Sequence, residues 1–210
     1  PFTLTPSRLR TCHAAWRAIH AANFSPDGVY VVLGSADKTA SVIDSRNGDT
    51  VFIVEGLHTD AILDARFSPD GALVVLASQD KTASIVDAKT GELRRHLKGL
   101  HGGAIHVARF SHDSGRLVLG SADGTASVWD VKDDGRQKPR LCNQLGSGAI
   151  LDAQFSPDSD SIVLGTEAKK AYVLDCKTFD TKLLRTTNGV ITAASYSPDG
   201  TEILLSFDKG

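Results

Sequence analysis

Short apolar runs and clusters of turn-forming residues alternate along this chain in an order that recurs five times. Each recurrence opens on a stretch with Ile at one column (Ile19, Ile62, Ile105, Ile150, Ile191) and Ala three residues later (Ala22, Ala65, Ala108, Ala153, Ala194). An aromatic residue closes the stretch at Phe24, Phe67, Phe110, Phe155 and Tyr196, so the copies are spaced by 43, 43, 45 and 41 residues. A period of this length marks a unit that cannot bury its apolar face alone and must stack on its neighbours. After the aromatic comes Ser-Pro-Asp-Gly or a near copy, in which Pro presets φ, Asp bonds its local backbone and Gly accepts positive φ. A second apolar run follows at 30–33, 73–77, 117–119, 162–164 and 203–205, then a tight polar turn at 36–38, 79–81 and 122–124. The third run alternates as Thr-Ala-Ser-Val/Ile-x-Asp and ends at Asp44, Asp87 and Asp130, with a degenerate copy at Asp175. Further turns (Asn47-Gly48, Thr90-Gly91, Asp134-Gly135) lead to a fourth, more polar run. Hairpin-length connections predict a four-stranded antiparallel meander for each unit. Helical periodicity is absent, so the chain reads as all-β.

The string Gly120-Ser121-Ala122-Asp123-Gly124-Thr125-Ala126-Ser127-Val128-Trp129-Asp130 resembles the hallmark of the WD-repeat β-propeller family. His58 and His101, nine residues before the aromatic, resemble that family's Gly-His position with a Leu inserted. The resemblance runs through nearly the whole chain on five aligned copies. It implies a β-propeller of four-stranded antiparallel blades, incomplete in this chain and therefore an open arc. Residues 13–55, 56–98, 99–143 and 144–186 are read as four repeats, 187–210 as part of a fifth, and 1–12 as the outer strand of a preceding blade. Propellers of this family usually hold about seven blades. The chain opens on Pro1, contains no Met and stops inside a turn, so a fragment of a longer reading frame is expected. In the family a His, a Ser/Thr, an Asp and a Trp of one blade form a hydrogen-bond chain. Carried over, the third repeat holds the full set, His101, Ser121, Asp123 and Trp129. The second holds His58, Ser78 and Asp80, with Val86 in the Trp column. The first keeps Ser35 and Asp37 but has Ala15 and Ile43 in the other columns; the fourth has Gly146, Thr166 and Ala168 and has lost the set. A buried His needs both ring nitrogens satisfied, and the turn Asp supplies a charged acceptor.

Charge narrows the function classes. With 23 basic and 25 acidic residues the net charge is −2, which gives no global drive toward nucleic acid. No apolar run approaches the ~20 residues a membrane helix needs. Cys12, Cys142 and Cys176 are odd in number and widely spaced, which reads as reduced thiols in an intracellular, cytoplasmic or nuclear protein.

No phosphate loop, HExxH or G-x-S-x-G string occurs, and no cofactor or metal is expected. Of the seven His, the pair His58 and His101 reads as structural, and His20 with His106 as buried or channel-lining. His96, in the basic stretch Arg94-Arg95-His96-Leu97-Lys98, reads as part of a solvated edge that discourages strand addition. Asp64 and Asp152 share a column of the first strand, two blades apart; solvation in the central channel is the reading, with acid–base chemistry as the alternative.

The remaining variable surface is the family's upper rim, formed by Trp16 and Arg17, Thr59 and Asp60, Gly102 and Gly103, Ser147 and Gly148, Asn188 and Gly189, with Ala36, Gln79 and Ala122. Trp and Arg dominate interface hot spots, so Trp16 and Arg17 are the first candidates for partner contact, with Asp60 and Gln79 next. The competing reading packs Trp16 against its own blade. A non-catalytic scaffold that binds proteins at this rim, and can self-associate through open blade edges, is the leading expectation. A propeller enzyme would have to use Asp64, Asp152, His20 and His106 around the channel. An RNA-associated scaffold would use Arg94, Arg95, Lys98, Lys132, Arg136, Lys138 and Arg140, with a salt-dependent affinity.

Overall fold

A computed structural model describes residues 17–132, 138–143, 145–208 of the chain. Eighteen strands form five antiparallel sheets among these residues, and each sheet takes its strands in sequence order. The first blade is β1 (Ile19–Phe24), β2 (Tyr30–Ser35), β3 (Ala40–Asp44) and β4 (Thr50–Val54). The second is β5 (Ile62–Phe67), β6 (Leu73–Ser78), β7 (Ala83–Asp87) and β8 (Leu93–Leu97). The third is β9 (Ile105–Phe110), β10 (Arg116–Ser121), β11 (Ala126–Asp130) and β12 (Arg140–Cys142). The fourth is β13 (Ile150–Phe155), β14 (Ser161–Thr166), β15 (Lys170–Asp175) and β16 (Thr181–Thr186), and β17 (Ile191–Tyr196) pairs with β18 (Ile203–Phe207). The arc is not closed. Residues 1–12, expected to form an outer strand, lie outside the described residues.

The Ser-Pro-Asp-Gly turns join the first two strands of every sheet by one mechanism. In each, the Ser hydroxyl donates to the Asp carboxylate two residues on, as in Ser25–Asp27 at 2.5 Å and Ser197–Asp199 at 2.6 Å. The last turn position is left-handed, with φ of 72° at Gly28 and 71° at Gly71. The third and fourth copies place Ser114 (φ 56°) and Ser159 (φ 62°) there. Their hydroxyls accept the Asp70 N–H (3.1 Å) and the His112 N–H (3.2 Å) of the preceding blade, which offsets the strain of a left-handed non-Gly residue.

Stacking between blades follows from a small-residue column. A Cβ on Gly34, Gly120 or Gly165 would come within 2.8, 2.7 and 2.7 Å of the Cγ2 of Ile62, Ile150 and Ile191 on the next blade. The Ile column thus rests on the backbone of its neighbour and is fully buried at Ile62, Ile105, Ile150 and Ile191. In every unit the first strand carries a bulge one residue after this Ile, at His20, Leu63, His106, Leu151 and Thr192. A bulged residue is unpaired in the ladder; His20 is exposed and His106 half-buried, which removes the buried reading for both and leaves the channel-lining one.

Toward the two ends of the arc individual large apolar side chains stand exposed. Phe24 is 68 % exposed, whereas Phe155 in the same column is 1 % exposed. At the other end, on edge strand β18, Leu204 is 73 % exposed.

Candidate interaction surface

The loops entering each first strand and the turns between second and third strands lie at one end of the blades and are tied together. Ala36, Gln79, Ala122 and Glu167 each donate their N–H to the carbonyl of the residue before the first strand, at Ala18, Ala61, Ala104 and Ala149. Ser78 adds its hydroxyl to the carbonyls of Asp60 and Ala61 (3.1 and 3.0 Å). The backbone of this rim is therefore fixed while its side chains vary. Arg17 and Gln79 are exposed, and Asp60 is half-buried with its carboxylate on the Ala61 N–H (2.8 Å). Arg17 stands before β1 on the blade adjacent to the one that carries Asp60 and Gln79. Trp16 lies outside the described residues.

Beneath the rim of the third blade runs a hydrogen-bond chain with one direction throughout. The Trp129 indole N–H donates to Ser127 Oγ (2.8 Å), and Ser127 Oγ bonds His101 Nε2 (2.7 Å). On the other side His101 Nδ1 meets Thr125 Oγ1 (2.7 Å), whose hydroxyl donates to Asp123 Oδ1 (2.6 Å). This order assigns a neutral imidazole, with Nδ1 protonated and Nε2 accepting. Burial pushes the His101 pKa below its ordinary value, in keeping with a neutral ring. Two details differ from the sequence expectation. Ser121 is not in the chain: it accepts the Asp123 N–H (3.2 Å) and donates to the Gly103 carbonyl (3.1 Å). Asp123 is exposed and reaches His101 only through Thr125.

The second blade makes half of this chain. His58 Nδ1 meets Asp80 Oδ2 directly (3.0 Å), and Thr82 donates to Asp80 Oδ1 (2.6 Å). Burial lowers the His58 pKa against the pull of Asp80, so this ring too is neutral. With Val86 in place of Trp, Ser84 Oγ and His58 Nε2 are buried without partners. His96 fills this space edge-on, its ring centroid 5.8 Å from that of His58. Its Nε2 is buried, so His96 is not part of a solvated edge; it stands opposite Ser84 in the ladder.

Asp64 and Asp152 are not channel carboxylates held only by water. Each accepts a backbone N–H from the next blade, at Ala108 (3.1 Å) and Ala194 (3.0 Å). Arg109, on the blade between them, bonds Asp64 and approaches Asp152 at 3.4 Å. Arg66 Nε lies 3.3 Å from Asp64 without hydrogen-bond geometry. The acids hold blades in place. Among the described residues no group of His, Cys, Asp or Glu is arranged to hold a metal ion. Cys142 and Cys176 are buried, and burial pushes the Cys176 pKa up to about 11; Cys12 lies outside the described residues.

Stacked four-stranded sheets joined by turn-to-strand polar chains define the class: an unclosed β-propeller arc. The chain matches the family described as WD domain, G-beta repeat at residues 5–44, 54–87 and 91–130, more than half of its length, and it belongs to that family. Repeats of this family generally mediate protein–protein interactions. No curated protein matches the chain. The fourth blade falls outside the matched stretches yet has all four strands, because Phe155, Tyr172 and Leu174 pack its interior where the polar chain is missing. No helix among the described residues is long and apolar enough to cross a membrane.

Proposed function

We propose that this protein is a non-catalytic interaction scaffold that captures partner proteins on the rim around Arg17, Asp60 and Gln79, with Trp16 as the neighbouring sequence candidate. The observation that carries the reading is the contrast between fixed backbone and variable side chains. Each rim turn is tied down by the same backbone bond, while the residue that makes it is Ala36, Gln79, Ala122 or Glu167 from blade to blade, exposed in all but the first. A rigid platform reduces the ordering cost of association, so its affinity depends on the few side chains it displays. The engagement of Asp64 and Asp152 with Arg109 and with amides favours this over channel chemistry. The test is partner capture by an Arg17→Ala/Gln79→Ala variant. Binding is expected to weaken by about 2 kcal/mol, roughly 30-fold, with the melt unchanged. A variant that keeps every partner at parental affinity overturns the assignment.

Association between copies is the second reading, and a specific observation favours it. The exposed side chains of Phe24 and Leu204 present apolar surface, and β18 presents an unpaired strand edge.

A further inference from the structure

We propose that the outer edge of the first blade, strand β4, adds one extended segment of a partner protein, apolar in its middle and carrying a Lys or Arg at each end. This surface is separate from the rim and does not depend on it.

Among the described residues each complete blade ends on a fourth strand that pairs on one side only: β4, β8, β12 and β16. The free side of such a strand presents unpaired N–H and C=O groups that template the addition of another chain. Alternation turns the backbone groups of every second residue toward that side. Three of the four strands carry cations that discourage addition, Arg94 and Arg95 in β8, Arg140 in β12, Lys182 and Arg185 in β16. Strand β4 reads Thr-Val-Phe-Ile-Val and has no charged residue. Geometry does not separate it from β8, since both carry a bulge in the same column, at Val51 and Arg94. Chemistry does: Val51 and Phe52 stand where β8 has Arg94 and Arg95.

The strand is anchored on its inner side. Val54 is buried, and Phe52 packs on the second blade, where a Cβ at Gly91 would come within 2.7 Å of its ring. Val51 and Ile53 are exposed. An added strand therefore gains apolar neighbours from a template that is already ordered.

Charge selects the occupant. Asp49 precedes the strand and Glu55 follows it; both are exposed, and among the described residues neither makes an ion pair. The corresponding ends of β8 are Glu92 and Lys98, so two acids are not a feature of the repeat. Opposite charges across a strand pair stabilise it, and like charges directly opposite destabilise it. A second copy of β4, paired about Phe52, sets Asp49 against Glu55. Strand β18 of a second copy is flanked by Glu202 and Asp208 and meets the same repulsion. The cations of the other outer strands stand too close together to meet both acids, which are six residues apart. Lys182 and Arg185 are three apart, Arg94 and Lys98 four, Lys138 and Arg140 two. A partner segment with cations five or six residues apart and Val, Ile or Thr between them answers both ends, the shorter spacing allowing for the bulge.

The test titrates the isotope-labelled 210-residue chain with two capped peptides and follows the backbone amides by NMR. One peptide is Lys-Thr-Val-Thr-Ile-Val-Lys, and the other has Glu at both ends. The Lys peptide is expected to shift the amides of residues 50–54 saturably, and the Glu peptide to bind at least about tenfold more weakly. Asp49→Lys/Glu55→Lys is expected to invert that preference, which a misfolded variant could not do. Ile53→Lys, at an exposed position, is expected to abolish binding of both. No saturable shift at residues 50–54, equal affinity for the two peptides, or an unchanged preference in the double variant overturns the proposal. Shifts confined to residues 203–207 assign the peptide to the β18 edge and overturn it. Shifts at residues 50–54 that follow the chain's own concentration without peptide assign the edge to a second copy and overturn it equally.

Discussion

A single hydroxyl decides how completely each histidine is satisfied. Ser127 accepts from Trp129 and bonds His101, so Ser127→Ala leaves two buried nitrogens without partners and is expected to cost about 1–3 kcal/mol. Ser84→Ala, the same change in the second blade, is expected to be close to neutral because its hydroxyl already lacks a partner. Denaturant melts of both variants check the contrast, and equal losses would remove it. His101→Ala is expected to cost roughly 1–3 kcal/mol by freeing Ser127 and Thr125, while Asp123 keeps the Thr125 and Gly102 N–H groups. The neutral rings also set a pH response. Both His58 and His101 have folded pKa values below the ordinary 6.5, so the unfolded chain takes up protons first on acidification. Their contribution is complete above pH 6.5 and is lost as pH falls from there toward the folded values. Melts at stepped pH should show this decline, and His101→Gln should flatten it; a rise on acidification would contradict the neutral assignment. The sequence made His101, Asp123 and Trp129 legible because each stands in a repeating column. It pointed to Ser121 through the family motif, although strand alternation puts Thr125, Ser127 and Trp129 on one face two residues apart. His96 was not legible, since the same column holds the exposed Ile53 and Leu141 in the flanking blades.

Strand order and turn placement were readable from the chain because Pro, Asp and Gly have position-specific backbone roles that repeat in register. The bulges were not, because a one-residue offset leaves the apolar columns aligned while changing which residue faces the ladder. The Ser114 and Ser159 departures from Gly look like decay in the sequence, and only the neighbouring blade's N–H explains them. The tightest constraint on blade spacing is the Gly column of the second strand. A Cβ on Gly120 would stand 2.6 Å from Val107 Cγ1 and 2.7 Å from Ile150 Cγ2. Gly120→Ala is therefore expected to destabilise by about 1–3 kcal/mol through overpacking between the third and fourth blades. An unchanged denaturation midpoint would show that the blades separate freely.

The molecule as a whole is an arc with two unlike ends and two unlike faces. Exposed Phe24 and Leu204 lead us to expect concentration-dependent association, readable by sedimentation and reduced by Phe24→Asp or Leu204→Asp. A single monomeric species at all concentrations would contradict it. That the chain builds stacked four-stranded units was legible from periodicity, and the propeller arc followed from the resemblance of residues 120–130 to the WD-repeat hallmark. The functional face was legible only as a set of positions freed from the repeat pattern, because chemistry that varies between copies carries no column to read. The rim assignment is tested most directly by placing a photo-crosslinking residue at Gln79 and, separately, at Asp27, which is exposed at the other end of the blades. Irradiation in cells that express the chain should yield a covalent partner adduct from position 79 and none from position 27. An adduct from position 27 with none from position 79 would contradict rim binding.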